Sequence, residues 1–348
     1  MVKLAQNVLA QALAPNTRAG YRSAVNHLHH FYKKQSTPLV FPVSTDTLCL
    51  WMAYSVDKLT YPSNSIRNYL HGIATTQQEL GFPNPLPQSP LIWRMFKAIK
   101  RIQGHQVVRK RLPITVKILS QINHLFNTNK ESDLCMRAAM WLGTCGLLRA
   151  GEFTTKTTTR HSIKIQHLTF YDKNNVELNP FYLVNGEVPL YMSLLIEQSK
   201  TDPFRKGTNV IIGNQRAITY MLAYLHHRNQ SLARQPLFAG QDGQPLTTAA
   251  LVKFTQSLIE SANIPNAHLF LGHSFRKGGA TSLHEAGHPD SLIKTMGRWA
   301  SFAFATYVDT PLQMLIAAGQ SLKKVDQSDD CTNTLTNTST FWDVSNLQ

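Results

Sequence analysis

The feature that most constrains the fold is a break in the helical pattern at residues 105–115, which read His-Gln-Val-Val-Arg-Lys-Arg-Leu-Pro-Ile-Thr. Three consecutive basic residues and a proline interrupt a helix, so this stretch is predicted to be an extended basic linker. The chain has 348 residues, a length typical of about two domains. We therefore expect one domain over residues 1–104, a second over 116–320, and a flexible polar tail over 321–348.

Residues 1–104 have the pattern of a small helical bundle. Apolar residues recur every three or four positions in four runs, which begin near Asn16, Ser44, Ser63 and Ile92. Asn and Ser are residue types that favour helix N-caps, and polar or proline-containing connections separate the runs. The sequence therefore predicts that this domain is helical throughout.

The second domain is predicted to be mainly α-helical with a small antiparallel β-sheet, an α+β fold. A helix near 117–127 is followed by a very apolar helix over Leu134 to Leu148, and strand-like runs then follow at 163–170, 190–196 and 209–212. The segment Ser-Lys-Thr-Asp-Pro at 199–203 is predicted to be the tip of a hairpin. Further helices are predicted at about 215–232, 247–261, 274–286, 289–296 and 301–319.

The charge balance favours a polyanionic partner. Lys and Arg number 35 against 20 Asp and Glu, which gives a net charge of +15. Nucleic acid and an anionic membrane surface both fit this charge, but no run of 18 or more apolar residues predicts a membrane span. The four cysteines form no CxxC pair and are predicted to be free thiols in a reducing, intracellular compartment.

Three segments carry residues suited to phosphoryl transfer. They are Gly-Leu-Leu-Arg-Ala-Gly-Glu at 146–152, His-Ser-Phe-Arg-Lys-Gly-Gly-Ala at 273–280, and Met-Gly-Arg-Trp at 296–299, which is followed by Tyr307. Each is common by chance, and an Arg, an HxxR pair or a Tyr usually has a structural role. Together they provide what a phosphodiester needs, since arginine forks grip phosphate oxygens and tyrosine can act as a covalent nucleophile.

The set Arg149, Lys200, His273, Arg276 and Tyr307 resembles the active-site signature of the tyrosine recombinases, also called phage-type integrases. The pattern at 273–280, followed by Ile-Lys-Thr-Met-Gly-Arg-Trp-Ala at 293–300, most resembles recombinases of eukaryotic mobile elements of the crypton kind. The resemblance covers 116–320 by motif and the N-terminal part only by its general helical character, where it implies a core-binding, SAM-like domain.

The resemblance implies a role for each residue. Arg149 and Arg276 would bind the scissile phosphate, and Tyr307 would attack it to form a 3′-phosphotyrosyl link. Lys200 would protonate the leaving 5′-oxygen, and His273 would assist proton transfer at the tyrosine. The link conserves the bond energy, so the reaction is expected to need no ATP, metal or other cofactor.

Two further positions complete the implied site. Glu152 matches the acidic residue that supports the first arginine. The position immediately after Gly297, nine residues before the tyrosine, usually holds His or Trp in the family, but here it is Arg298 and Trp299 follows. Either Arg298 donates to the phosphate or Trp299 takes that place, and the sequence leaves both alternatives open.

The implied partner is double-stranded DNA, bound by a homotetramer on two DNA sites, and no membrane partner is implied. The residues expected to contact DNA are Arg18, Arg22, Arg67, Arg109, Lys110, Arg111 and Lys277. An apolar segment at 311–318 is expected to pack on a neighbouring protomer or on its own domain.

The implied function is site-specific recombination for integration or excision of a mobile element, located in the nucleus if the host is eukaryotic. One alternative is an enzyme that, like a type IB topoisomerase, nicks and reseals without exchanging strands. Another is a domesticated DNA-binding protein that has lost its activity. The match of residues 284–288 to the HExxH zinc pattern is given little weight, because Gly287 and Pro289 are expected to end the helix before His288.

Overall fold

The computed structural model divides the chain into two compact units, Met1–Val108 and Arg109–Gln348. It describes residues 11–87, 89–104, 111–156, 163–181, 188–197, 206–228, 234–240 and 242–301, with isolated positions 4, 8, 183, 202, 305, 316 and 320. Among these residues, no helix combines the length and the apolar character needed to cross a membrane.

The described part of the first unit is helical. Its helices are α1 (Pro15–Lys34), α2 (Thr45–Asp57), α3 (Ser63–Glu79) and α4 (Pro90–Gln103). Ser44 caps α2 by accepting a hydrogen bond from the Thr47 amide, whereas α1 starts at Pro15 rather than at the expected Asn16. Proline is favoured at the first helical position because its missing N–H has no partner there in any case.

Large apolar side chains from all four helices form the core of this unit. Trp51, Leu28 and Ile66 have no exposed surface. Helices α1 and α3 approach closely because Gly72 lies against Tyr21 and Ala24, where a Cβ atom would come within 2.9 Å of the Ala24 side chain. The predicted helical bundle is therefore a packed unit with its own core.

The second unit combines helices with one sheet. Its helices are α5 (Val116–Ile122), α6 (Glu131–Cys145), α7 (Ala150–Phe153), α8 (Gln215–His226), α9 (Thr248–Ser261), α10 (Ser274–Glu285) and α11 (Asp290–Met296), with short 3-10 helices at Asn123–Leu125, Ile165–His167 and Ala267–Leu269. The described residues thus confirm a mainly α-helical fold. The helix predicted over 301–319 lies outside them apart from residues 301, 305 and 316.

Four short antiparallel strands form the sheet, in the order β2-β1-β3-β4. They are β1 (Leu168–Tyr171), β2 (Glu177–Leu178), β3 (Tyr191–Ile196) and β4 (Thr208–Ile212). Strands β3 and β4 pair antiparallel, with Met192 opposite Ile212 and Ile196 opposite Thr208, which confirms the predicted hairpin pairing. The tip residues 198–201 and 203–205 lie outside the described residues.

The structure corrects the bounds of three predicted elements. The helix predicted over 215–232 ends at His226. The strand predicted from 163 begins only at Leu168, because Ile165–His167 is a 3-10 turn in which the His167 ring accepts the Lys164 amide. The apolar helix predicted to reach Leu148 ends at Cys145, and Leu147 turns the chain with a φ of +48°. A helix end with this left-handed conformation is usually marked by a glycine, because leucine rarely takes it. Here the position holds a leucine, so the sequence does not mark the helix end.

Helix α10 packs against the C-terminal end of the predicted linker. The Ile114 amide donates to the Ser274 carbonyl at 2.9 Å. A Cβ atom at Gly278 would come within 1.8 Å of the Ile114 carbonyl oxygen, and one at Gly279 within 2.1 Å of the Thr144 oxygen. The paired glycines of the 273–280 segment therefore allow backbone to pack on backbone on two sides of the helix.

We expect Gly278→Ala to lower the free energy of unfolding by about 1–3 kcal/mol, because the added methyl group must displace the Ile114 backbone. Gly213→Ala is the matched control, since a Cβ atom there meets nothing within 4 Å. Urea unfolding of both variants measures the difference. Equal stability of the two variants would contradict the close packing of α10 on this segment.

Candidate active site

The site is built where three turns of the second unit meet. Arg149 immediately precedes α7, Arg276 lies in the first turn of α10, and Arg298 follows α11. Arg149 was expected at the end of a continuous apolar helix. It is instead the N-cap residue of a new short helix, because the chain turns at Leu147.

The Glu152 carboxylate is the centre of the cluster. Its Oε1 accepts a hydrogen bond from Arg149 Nη1 at 2.8 Å, and its Oε2 accepts one from Arg298 Nη2 at 2.8 Å. Oε2 also accepts the Arg149 backbone amide at 2.9 Å. One buried carboxylate therefore holds two guanidiniums, from positions far apart in the chain, on its two oxygens.

The Leu147 carbonyl is a second shared acceptor. It accepts Arg276 Nη1 at 3.1 Å and Arg298 Nη2 at 3.4 Å. Arg276 also donates through Nη2 to the Gly297 carbonyl, and its side chain is completely buried. The turn at Leu147 therefore presents the carbonyl oxygen on which two of the three guanidiniums converge.

Trp299 lies beneath Arg276. The guanidinium carbon of Arg276 is 4.3 Å from the centre of the Trp299 ring, a cation–π contact. The ring also covers Gly297, where a Cβ atom would come within 1.7 Å of it, and it joins a small apolar cluster with Leu147, Ala280 and Ile293. Trp299 thus supports the buried arginine from the apolar side.

Electrostatically the cluster suits an anion. Among the described residues, the cluster combines three guanidiniums with the one carboxylate of Glu152, so positive charge predominates there. Burial lowers the pKa of the Arg298 guanidinium, Glu152 opposes this shift, and Arg149 adds to it. Positive charge held in a partly buried position stabilises charge that develops on phosphate oxygens during phosphoryl transfer.

The remaining predicted site residues fall into two groups. His273 is exposed and immediately precedes the first residue of α10, whereas Arg276 is buried one turn further on. Lys277, expected to contact DNA, is buried and its ammonium donates to the Arg111 carbonyl at 3.1 Å. Lys200, Tyr307, Arg109 and Lys110 lie outside the described residues, so their predicted roles stay predictions.

The basic residues predicted in the first unit lie on its helices. Arg22 on α1 and Arg67 on α3 are exposed, while Arg18 is partly buried and donates to the Leu13 carbonyl at 3.3 Å. Exposed arginines are free to meet phosphates, but the DNA contacts of this unit stay predictions.

The HExxH segment does not form one continuous helix face. Helix α10 ends at Glu285, and Gly287 has a φ of +81°. His284 lies 3.9 Å from the Asp290 carboxylate. Among the described residues, no three His, Cys, Asp or Glu side chains are grouped as a metal ion would require.

Sequence reasoning missed two functional features of the cluster. The Leu147 carbonyl is a backbone acceptor, and a carbonyl carries no residue-type signal. The bond from Arg298 to Glu152 joins residues 146 positions apart, which no local spacing rule predicts. The glycine pair at 278 and 279 was a usable signal for close packing of α10, because glycine allows backbone to approach without a Cβ clash.

Comparison with known proteins gives structural relatives only. No protein-family model matches the sequence, and no curated protein matches it. The XerH site-specific recombinase bound to palindromic difH substrate in a post-cleavage complex has a TM-score of 0.56 and 18% identity, covering 88% of this chain and 79% of XerH. The Tn1549 transposon integrase in complex with transposon right end DNA has a TM-score of 0.53 and 13% identity, covering 89% and 95%.

We expect Glu152→Gln to lower the free energy of unfolding by about 3 kcal/mol, because it leaves two guanidiniums without their buried counter-charge. Glu285→Gln is the control, since Glu285 is exposed and its substitution should change stability by no more than about 0.5 kcal/mol. Urea unfolding at neutral pH measures both. Unchanged stability of Glu152→Gln would mean that the carboxylate does not hold the cluster together.

The same Tn1549 integrase in complex with circular intermediate DNA has a TM-score of 0.54 and 12% identity, covering 91% of this chain and 97% of that chain. At such low identity, the likeness establishes the fold and not the activity. The mainly helical second unit with its small four-stranded antiparallel sheet matches this architecture. The chain therefore has the tyrosine recombinase fold.

Proposed function

We propose that the chain is a site-specific tyrosine recombinase that cuts and rejoins double-stranded DNA. The observation that carries this proposal is the convergence of Arg149, Arg276 and Arg298 on the Glu152 carboxylate and the Leu147 carbonyl. A cluster of guanidiniums with excess positive charge suits a phosphodiester, and it lies in a fold shared with DNA-bound recombinases and integrases.

In the proposed reaction, the Tyr307 phenol oxygen attacks the scissile phosphorus and loses its proton, with assistance from His273. The bond from phosphorus to the 5′-oxygen breaks, and Lys200 protonates that leaving oxygen. Arg149 and Arg276 balance the charge that develops on the non-bridging oxygens. A 5′-hydroxyl from another strand then attacks the phosphorus and gives up its proton, the bond from phosphorus to the Tyr307 oxygen breaks, and the phenol regains a proton. One phosphodiester is thereby exchanged for another without ATP or metal.

The proposed biological role is integration or excision of a mobile element, with the crypton-like motifs as its support. Four protomers would act on two DNA sites, and in a eukaryotic host the protein would work in the nucleus. The net charge of +15 supports DNA as the partner. The exposed Arg22 and Arg67 would contact phosphates from the first unit.

The proposal predicts a covalent adduct that depends on Tyr307. Because the target site is unknown, the probe is a pool of duplexes with a randomised centre and a nick that lets the cleaved end diffuse away. The wild-type protein should form denaturant-resistant adducts whose DNA identifies the preferred site. Tyr307→Phe should form none, because its ring lacks the nucleophilic oxygen.

Tyr171→Phe is the matched control, since it removes one hydroxyl from strand β1 in the same unit. It should form adducts as the wild type does. Absence of wild-type adducts, together with retention of DNA, would favour the inactive DNA-binding protein. Adducts that persist in Tyr307→Phe would exclude Tyr307 as the nucleophile.

A plasmid that carries two copies of the captured site separates recombination from simple nicking and resealing. A recombinase should invert or delete the DNA between the sites. A topoisomerase-like enzyme would only relax the supercoiled plasmid, and this outcome would overturn the strand-exchange part of the proposal. Gel electrophoresis of restriction digests and of intact plasmid measures the two activities in one reaction.

A further inference from the structure

Arg298 departs from the family pattern, and the structure shows what its guanidinium donors contact. Its Nη2 donates both to Glu152 Oε2 at 2.8 Å and to the Leu147 carbonyl at 3.4 Å. Its Nε and Nη1 atoms are buried and have no acceptor among the described residues. Among the described residues, Nη2 is therefore engaged by two acceptors, and the other two donor atoms are buried away from solvent.

The backbone of Arg298 also points to a role for its side chain. Its φ is +56°, and its amide donates to the Thr295 carbonyl at 3.0 Å just beyond the end of α11. Glycine is the usual residue in this left-handed position after a helix, because a side chain costs energy there. An arginine in this position is accounted for by the bonds that its guanidinium makes.

In the turn after α11, the residue that fills space is Trp299 and not Arg298. Trp299 fills the apolar cluster with Leu147, Ala280 and Ile293 and lies under the Arg276 guanidinium. Arg298 is therefore not needed to fill space. Its two bonds instead connect it to the groups that hold the other arginines, Glu152 for Arg149 and the Leu147 carbonyl for Arg276.

We infer that Arg298 is a positioning residue: it fixes the Glu152 carboxylate and the Leu147 carbonyl, and through them orients Arg149 and Arg276, without binding the phosphate itself. This inference rests on the proposed recombinase function for its kinetic consequence. It argues against the first of the two alternatives that the sequence leaves open, in which Arg298 donates to the phosphate.

The inference predicts that Arg298 and Arg149 do not act independently. Arg298→Gln alone should slow single-turnover adduct formation about 10²-fold, because misplacement of a catalytic group by about 1 Å costs that much. Arg149→Ala alone should slow it about 10²–10³-fold. The double variant should lose clearly less than the product of the two single losses, because the part of the Arg298 effect that acts through Arg149 is no longer there and only the part that acts through Arg276 remains.

Salt dependence gives a second readout, which separates a positioning role from direct binding of a phosphate. In the Arg149→Ala background, Arg298→Gln should leave the slope of log Kd against log salt concentration unaltered. If Arg298 instead bound a phosphate directly, its substitution would reduce this slope by about 0.9. Arg216→Gln, which removes an arginine of α8 bonded to Ser120, is the matched control and should match the wild-type adduct rate.

Multiplied rate losses in the double variant, or a reduced salt slope, would show that Arg298 binds the phosphate directly and would overturn the inference. A wild-type rate for Arg298→Gln would overturn it as well. If thermal unfolding shows that the double variant of Arg149→Ala and Arg298→Gln is not folded, the rate loss from Arg298→Gln is measured in the Glu152→Gln background instead. In that background no carboxylate is left unpaired.

Failure of the proposed function has a different signature. In that case the wild-type protein forms no adduct at all, and the kinetic comparison has no reference rate. The link between Arg298 and Glu152 would still be measurable as a coupling energy in urea unfolding of the two single variants and their double variant. Additive stability losses there would also contradict the positioning role.

Discussion

The shared carboxylate of Glu152 is the interaction on which the rest of the site depends. Guanidiniums repel one another, so three of them gather only where acceptors offset that repulsion. Glu152 gives one oxygen to Arg149 and the other to Arg298, and the Leu147 carbonyl holds Arg276 beside them. The fold around these acceptors brings together the end of α6, the start of α10 and the end of α11. The same packing of helix ends therefore shapes the second unit and gathers the charges of the site.

Much of the fold was predictable because its signals are local. The helices follow from apolar spacing, and the β3–β4 pairing follows from two strand-like runs that flank a polar segment. Two boundaries could not be predicted for the same physical reason. At Leu147 the chain turns at a leucine instead of a glycine, and at Ile165–His167 a side-chain bond to the backbone replaces the first residues of a strand. In both places a specific contact outweighs the average preference of the residue type.

The residue types of the site were predictable from the sequence, but the contacts between them were not. Arg149 and Glu152 are three residues apart, so their ion pair is readable from sequence, and the resemblance supplies the other residue types. The bond from Arg298 to the same carboxylate spans most of the second unit and needs the folded chain. Lys277 shows the same limit, since the sequence predicts a DNA contact for it and cannot reveal that its ammonium donates to the Arg111 carbonyl.

The segment 111–114 packs along α10, and this packing determines where the chain can be cut to express the second unit alone. The Arg111 carbonyl accepts Lys277, and the Leu112 and Ile114 amides donate to the carbonyls of residues 269 and 274. A recombinant second unit that starts at Val116 would lack these partners and would uncover the glycine face of the helix that carries Arg276. Expression of this unit alone therefore requires a start site upstream of Arg111, although the regular secondary structure begins later.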